Sequence, residues 1–258
     1  MSTSTPSTTP NTPTGTRVAV VTGGSGGIGT AVVERLARDG YAIAVHYAGN
    51  RDRAQQVADT ATAAGADALV VEADVADESA VAAMFDRIEQ RLGGIDVIVH
   101  TAGIMLLSPL AELDLSDGGD FDRMLRTNTR GTFVVAREAA RRVRPGGAII
   151  NFSSSVVKLA LPTYTAYAAT KGAVDAVTMI LAKELRGRDI TVNAVAPGPT
   201  ATPLFLDGKP QDAINQLASM PPLERLGQPG DIAETVAFLA GPARWVNGQV
   251  LYANGGVA

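Results

Sequence analysis

The sequence predicts an α/β chain whose strands lie parallel in one sheet, with helices packed on both faces. Three observations carry this. From Arg17 onward, short β-branched runs alternate with longer segments of helical period. The strand runs are apolar throughout, as strands buried between two helix layers must be. The length of 258 residues, with 46% hydrophobic content, is enough to bury a substantial core as one large domain.

The run "RVAVVTGG" opens the fold as a buried strand, and "GTAVVERLARDG" follows as a helix closed by Gly40. "YAIAVHYA" is a second strand. The next helix, "NRDRAQQVADTATAAG", aligns Ala54, Val57, Ala61 and Ala64 on one stripe before a third strand, "DALVVEADV". In "DESAVAAMFDRIEQRLGG", Val81, Met84, Phe85, Ile88 and Leu92 fall at helical spacing, and Asp77 is placed to cap. The fourth strand, "IDVIVHTAG", follows. A helix from Phe121 to Val143, the strand "GAIINFSS", a helix from about Tyr167 to Leu185 and the strand "ITVNAVAPG" continue the alternation. A last helix, "DIAETVAFLAGP", leads to a seventh strand, "GQVLYANGG". This is the pattern of a doubly wound, Rossmann-like fold of about seven parallel strands.

Two segments stand outside the rhythm. Residues 1–16, "MSTSTPSTTPNTPTGT", are polar and Thr/Ser/Pro-rich without the apolar core of a secretion signal, and are expected to form a disordered tail or an expression remnant. The catalytic domain is then expected over 17–258. Residues 199–230 are rich in Pro and Gly and lie between a strand end and the last helix, a composition suited to a lid over a ligand.

The formal charge of −4, with acids and bases interspersed, gives no sign of a nucleic-acid surface or a polybasic membrane attachment. No apolar run reaches the roughly 20 residues needed to span a bilayer. The absence of cysteine excludes disulfides, thiolate metal sites and cysteine nucleophiles, and fits a cytoplasmic location. The two histidines, His46 and His100, lie in apolar strand runs without ligand spacing; they read as structural, and no metal site is expected. A small-molecule partner is the remaining expectation.

The first strand runs directly into "TGGSGGIG". Glycine at 23, 27 and 29 permits a tight turn, close backbone approach to a pyrophosphate, and anion binding at a helix N-terminus. Asp74, at the end of strand three, is placed either to hold an adenine or to cap the strand end. The turn at Thr101–Gly103 ends strand four. Farther on, Lys171 follows Tyr167 by four residues, one helical turn along the same face. A cation there favours phenolate and is expected to lower the tyrosine pKa from about 10. A serine at the end of the preceding strand could donate to the same substrate oxygen, a set suited to moving a proton onto or off a carbonyl oxygen. Spacing alone does not choose among Ser153, Ser154 and Ser155. Tyr164 competes with Tyr167 but has Ala168, not a cation, four residues on. Asn128, a poor helix former in mid-helix, suggests a local kink with a polar role.

Taken in order, "TGGSGGIG", "TAG", Asn128, Ser154, "YAATK" and "PGPTATP" resemble the short-chain dehydrogenase/reductase family in its single-domain branch, over about Val18 to Gly256 and most closely in the manner of 3-oxoacyl-carrier-protein reductase-like carbonyl reductases. The resemblance implies that Tyr167 is the general acid/base. It implies that Lys171 lowers the pKa of Tyr167 and holds the nicotinamide ribose, and that Asn128 holds a water in a proton relay. Ser154 is the serine implied to polarise the carbonyl, because it stands thirteen residues before Tyr167. The resemblance further implies cofactor contacts from Gly23, Ser25, Gly26, Gly27, Ile28 and Gly29, from Tyr47, Asp74 and Val75, from Ala102 and Gly103, and from Pro197, Gly198, Thr200 and Thr202. It also implies a homotetramer. Two departures stand out: His100-Thr101 replaces the usual Asn-Asn before Ala102-Gly103, and "DGG" at 117–119 looks like a small insertion that alters substrate shape or oligomer contacts.

At the end of strand two, where NAD-specific proteins place a carboxylate, the sequence is "VHYAGNRDR". Tyr47 and Ala48 take those positions while Asn50 and Arg51 could bind a 2′-phosphate, so NADPH is favoured, with NADH possible. Against this, Gly26 stands where many phosphate-preferring relatives carry a basic residue. The expected reaction is reversible reduction of a ketone or aldehyde to an alcohol in an apolar pocket offered by Leu204, Phe205, Leu206, Ile104, Met105 and Leu106. Three alternatives remain. A 3-oxoacyl-carrier-protein reductase would use a basic patch from Arg126, Arg130, Arg137, Arg141 and Arg142, a sugar or polyol dehydrogenase would want a more polar pocket, and a nucleotide sensor would use the fold without turnover.

Overall fold

The computed structural model describes residues 15–258, so most of the expected N-terminal tail lies outside the described residues. Seven strands form one parallel sheet in the order β3-β2-β1-β4-β5-β6-β7. They are β1 (Val18–Thr22), β2 (Ala42–Tyr47), β3 (Ala68–Glu72), β4 (Val97–His100), β5 (Ala148–Phe152), β6 (Thr191–Pro197) and β7 (Val250–Ala253). The fold is Rossmann-like, as the alternation predicts. The chain works outward from β1 to β3, then returns to place β4 on the other side of β1. That reversal opens a crevice at the carboxyl ends of β1 and β4, where ligands of open α/β sheets bind.

Burial on both sheet faces follows from the apolar strands. Along β1, Ala19 and Val21 enter one core, with Val32, Val33 and Leu36 of α1 (Gly27–Arg38), Ala54 and Val57 of α2 (Arg51–Ala63), and, far along the chain, Ile232 and Val236. Val18 and Val20 enter the other, with Phe85 and Ile88 of α3 (Glu78–Leu92) and Val134 and Val135. Asp77 caps α3 as expected, its carboxylate accepting from Ser79 N and Ala80 N at 2.8 and 2.9 Å.

The expected helix at 121–143 is three pieces in series: α4 (Asp120–Met124), a π-helical turn (Leu125–Arg130) and α5 (Gly131–Arg142). The extra residue in the π turn is the physical form of the kink anticipated at Asn128. The Asp117-Gly118-Gly119 segment folds into a turn at the start of α4, with Asp114 accepting from Ser116 N at 3.0 Å. After β5 come the short α6 (Val156–Leu159) and the long α7 (Thr165–Glu184), which starts two residues before Tyr167. The 199–230 excursion contains α8 (Pro203–Leu206) and α9 (Gln211–Ser219). Its ends are stitched together where Gly227 N donates to Pro199 O and Ala201 N to Gly227 O, each at 2.8 Å. It leads into α10 (Pro229–Ala240), which packs on α1. Among the described residues no helix is long and apolar enough to cross a membrane.

Candidate active site

The carboxyl ends of β1, β2, β3 and β4 border one cleft of about 1370 Å³. Its floor is the glycine turn between β1 and α1. Gly23 takes φ +67°, the left-handed region that glycine enters without strain, and a Cβ there would stand 2.9 Å from Ala102 N. A Cβ at Gly29 would stand 2.2 Å from Gly23 O, so the helix can fold back onto its own turn only with glycine at this position. The first turn of α1 contains no acid, and no side chain caps it. Amides left without partners at a helix start suit an anion.

Gly23, Ser25, Gly26, Gly27, Ile28, Gly29, Tyr47, Asp74, Val75, Ala102 and Gly103 all line this cleft. Asn50 and Arg51 do not. Asn50 is the N-cap of α2, accepting from Arg53 N at 2.9 Å, and Arg51 begins that helix, exposed. A short polar residue before a helix is a preferred cap, and Asn50 Oδ1 takes that role here. The cation in the cleft wall is instead Arg126, from the π turn, paired with Asp74 at 2.6 Å. Asp74 also accepts from Ala76 N at 2.9 Å, the strand-end cap that is one of the two roles open to it in the sequence. The sequence presents Arg126 only as part of a basic patch for a carrier protein and His46 only as structural; the signal for His46 is its place at the end of a strand beside the turn.

A second cleft of about 850 Å³ opens from the first, the two sharing Ile28, Thr101, Gly103, Phe152, Thr202 and Leu204. It contains Ser154, Tyr167 and Lys171, together with Pro197, Gly198, Thr200 and Thr202. Ser155 is buried and hydrogen-bonded to Ala196 O and Asn254. Ser153 is buried beside Asp175. Ser154 is the serine that lines the cleft with Tyr167 and acts on the phenol, in the direction that lowers its pKa.

The electrostatics at Tyr167 run opposite to the expected direction. Burial pushes the phenol up to about 12; Ser154 opposes this, and neighbouring Tyr164 reinforces it. Lys171 does not pull it down: its Nζ is 5.6 Å from the Tyr167 ring centre and donates to Phe152 O at 2.8 Å. Burial lowers Lys171 itself to about 8, with Asp175 one turn along pulling the other way. The spacing foretells the shared face but not the carbonyl at the end of β5 that claims the ammonium.

Asn128, 1% exposed, is fully engaged. Its Oδ1 accepts from Ile104 N and its Nδ2 donates to Ile104 O, both at 2.8 Å, and Nδ2 also reaches Thr170 Oγ1 at 3.2 Å. The side chain therefore ties the loop after β4 to α7. Thr101 Oγ1 donates to Thr22 O at 2.6 Å and so serves the strand end.

The family model described as Enoyl-(Acyl carrier protein) reductase matches residues 23–258. A short-chain type dehydrogenase/reductase of Picea abies is 43% identical over 94% of this chain and 92% of its own. The chain belongs to the short-chain dehydrogenase/reductase family. An NADPH-dependent aldehyde reductase-like protein, chloroplastic, of Arabidopsis thaliana is 39% identical over 99% of each chain. A short chain dehydrogenase from Burkholderia cenocepacia in complex with NADP superposes with a TM-score of 0.87 at 38% identity, over 93% of this chain and 97% of that one. This short-chain dehydrogenase/reductase is an NAD(P)-dependent oxidoreductase, with NADPH the favoured cofactor. The residues present fit that group: the uncapped α1 start suits the pyrophosphate, and the only carboxylate among the described residues of the nucleotide cleft, Asp74, is already neutralised by Arg126. Among the described residues no three His, Asp or Glu side chains are grouped to hold a metal.

Proposed function

We propose that the protein reduces an uncharged, largely apolar ketone or aldehyde to the alcohol, with Tyr167 as the general acid. The observation that carries this is the junction of the two clefts, where Ser154 and Tyr167 meet an apolar wall of Met105, Leu159, Leu161, Leu204, Phe205 and Leu217. Lys171 is the only charged side chain in that lining among the described residues. Bound NADPH supplies the hydride. Ser154 donates a hydrogen bond to the carbonyl oxygen and fixes its place. Tyr167, with its raised pKa, is fully protonated at neutral pH and delivers that proton to the oxygen as negative charge develops there. Lys171, its ammonium tied to Phe152 O, lines the same cleft and is placed to hold the cofactor. In the oxidative direction the same groups run in reverse.

The 199–230 excursion is the lid in this reading. Its base is fixed by the Thr200–Gly227 bridge, while Leu204, Phe205 and Leu217 face the substrate. A carrier-protein substrate is less well supported, because the arginine row is neutralised. Arg130 and Arg137 pair with Glu78, Arg141 and Arg142 with Glu138, Arg142 also with Asp86 and Glu89, and Arg126 with Asp74, so that five carboxylates meet five arginines. The assembly we propose is a homotetramer, in which the groove between α5 and α7, with exposed Phe133 and Ile180 on its wall, meets a second copy. Light scattering on the purified protein tests the assembly. For the reaction, loss of NADPH absorbance is followed with apolar ketones, aldehydes, acyl thioesters and sugars. Turnover confined to the apolar carbonyls supports the proposal, and turnover confined to thioesters or sugars overturns it.

A further inference from the structure

His46 is 1% exposed near the end of β2 and borders the nucleotide cleft. Its Nδ1 lies 3.0 Å from Gly23 N and its Nε2 lies 2.9 Å from Ala73 O. An amide only donates and a carbonyl only accepts, so the partners fix the ring: lone pair on Nδ1, proton on Nε2. The backbone carbonyl of the same residue accepts from Gly24 N at 2.9 Å. One residue thus takes two successive amides of the glycine turn and anchors them to the end of β3.

We propose that His46 is a positioning residue for NADPH, and that only its neutral imidazole holds the glycine turn in the conformation that binds the pyrophosphate. The argument is geometric. Gly23 sits at φ +67° with its amide directed into the sheet edge, and the Nδ1 lone pair is what receives it there. A proton on Nδ1 would set one donor against another and release the start of the turn from β3.

The surroundings hold the ring neutral. Burial lowers its pKa, the strongest influence on it, and the Ala73 carbonyl and then Asp74 oppose this from beyond β3. Asp74 is itself paired with Arg126, and Glu72 on β3 is taken by the Tyr47 hydroxyl at 2.9 Å. Across β1, His100 is buried and neutral; β1 itself presents only Thr22 at that level. Cofactor affinity should therefore fall on the acid side as His46 takes up a proton.

The test is the dissociation constant for NADPH between pH 5 and 8, read from NADPH fluorescence, for the wild type, His46→Asn and His46→Ala. Asparagine keeps an acceptor near Nδ1 for Gly23 N and cannot be protonated. The phosphate of the ligand titrates in every variant, so the difference between the wild-type and His46→Asn curves isolates the imidazole. At pH 7.5, His46→Ala should weaken binding about tenfold, equivalent to about 1.4 kcal/mol. It should raise the NADPH KM equally while leaving kcat at saturating cofactor unchanged. His46→Asn should bind within a few-fold of wild type at that pH and lose the extra acid-side weakening. A folded His46→Ala that binds as tightly as wild type overturns the proposal. So does an His46→Asn curve that keeps the wild-type acid slope, an outcome that decides the matter even if the alanine variant does not fold.

Discussion

The two halves of the cleft meet at Gly103 and Thr202, yet they are built by opposite means. The nucleotide half is made of backbone: glycines that admit a close approach, a helix start with no side-chain cap, and strand ends braced by buried polar side chains. The substrate half is made of side chains: Ser154 just past β5, Tyr167 and Lys171 on α7, and an apolar wall lent mostly by the loops and by α8 and α9. Backbone recognition reads a part of the ligand that is the same whatever the substrate, and it tolerates little change. Side-chain recognition can be altered without disturbing the sheet. The two halves should therefore fail separately.

The sharpest separation is expected from Tyr167→Phe. A positioned general acid is worth on the order of 10²–10⁴ in rate, and the ring that remains still fills its place against Tyr164, 6.5 Å away. The expected result is a fall in kcat of about a thousandfold, with the NADPH dissociation constant within twofold of wild type. Stopped-flow turnover and fluorescence binding check it. Equal loss of both would mean that the halves are one unit. A nucleotide sensor would show no change in either.

His100 lies beneath the junction and tests the frame itself. Burial, the largest cause, together with the charges of Lys171 and His46, lowers it to about 3 from 6.5. The unfolded state then binds the proton first as pH falls. Stability from this group is fully present above about 6.5 and is lost progressively between 6.5 and 3. A tenfold difference in proton affinity between the folded and unfolded states is worth about 1.4 kcal/mol, so a loss of the order of a few kcal/mol is expected by about pH 4. Chemical denaturation at pH 7.5 and 4.5 should show a smaller acid-side loss for His100→Asn. If the variant and wild type lose stability in parallel, His100 is not the group responsible.

Gly29→Ala should break the nucleotide half alone. Its Cβ would meet Gly23 O at 2.2 Å, and the clash is with backbone, which cannot swing aside. Overpacking of this kind costs about 1–3 kcal/mol. The expected readout is a raised NADPH KM and a lower melting temperature, with kcat at saturating cofactor little changed.

What the sequence discloses divides along the same line. All seven strands are legible because burial on two faces leaves continuous apolar runs, and the glycine turn is legible because only glycine satisfies its φ and contacts. Ser154, Tyr167 and Lys171 are legible as a set through spacing and family resemblance. Hidden are the outcomes decided by partners far along the chain. Hidden as well is that Asn50, read as a phosphate ligand, also caps α2 through its Oδ1. Arg137 and Arg142 look like a basic patch until Glu78, Asp86 and Glu89 of α3 pair with them. The raised pKa of Tyr167 follows from its burial, and the Lys171 ammonium donates to Phe152 O, a contact across 19 residues of chain. Helices α8 and α9 are hidden for another reason: a Pro- and Gly-rich segment carries too little periodicity to announce four- and nine-residue helices.

The smallest effect is expected in the apolar wall, at Phe205. Its ring lines the substrate cleft and carries the Lys209 ammonium 4.6 Å from its centre, so one side faces the substrate and another meets a charge. Removing an apolar contact of this kind changes discrimination by roughly 10-fold or somewhat more, the range of a few methylenes in a hydrophobic pocket. Phe205→Ala should therefore lower kcat/KM for the preferred apolar ketone about tenfold while the NADPH KM stays within twofold. Smaller ketones, which do not reach the wall, should lose less than bulky ones. A uniform loss across ketone sizes would place Phe205 in closing the excursion rather than in contacting substrate, and a change in NADPH KM of the same size would show that α8 belongs to both halves, through Thr202, whose side chain caps α8 and also lines the nucleotide cleft.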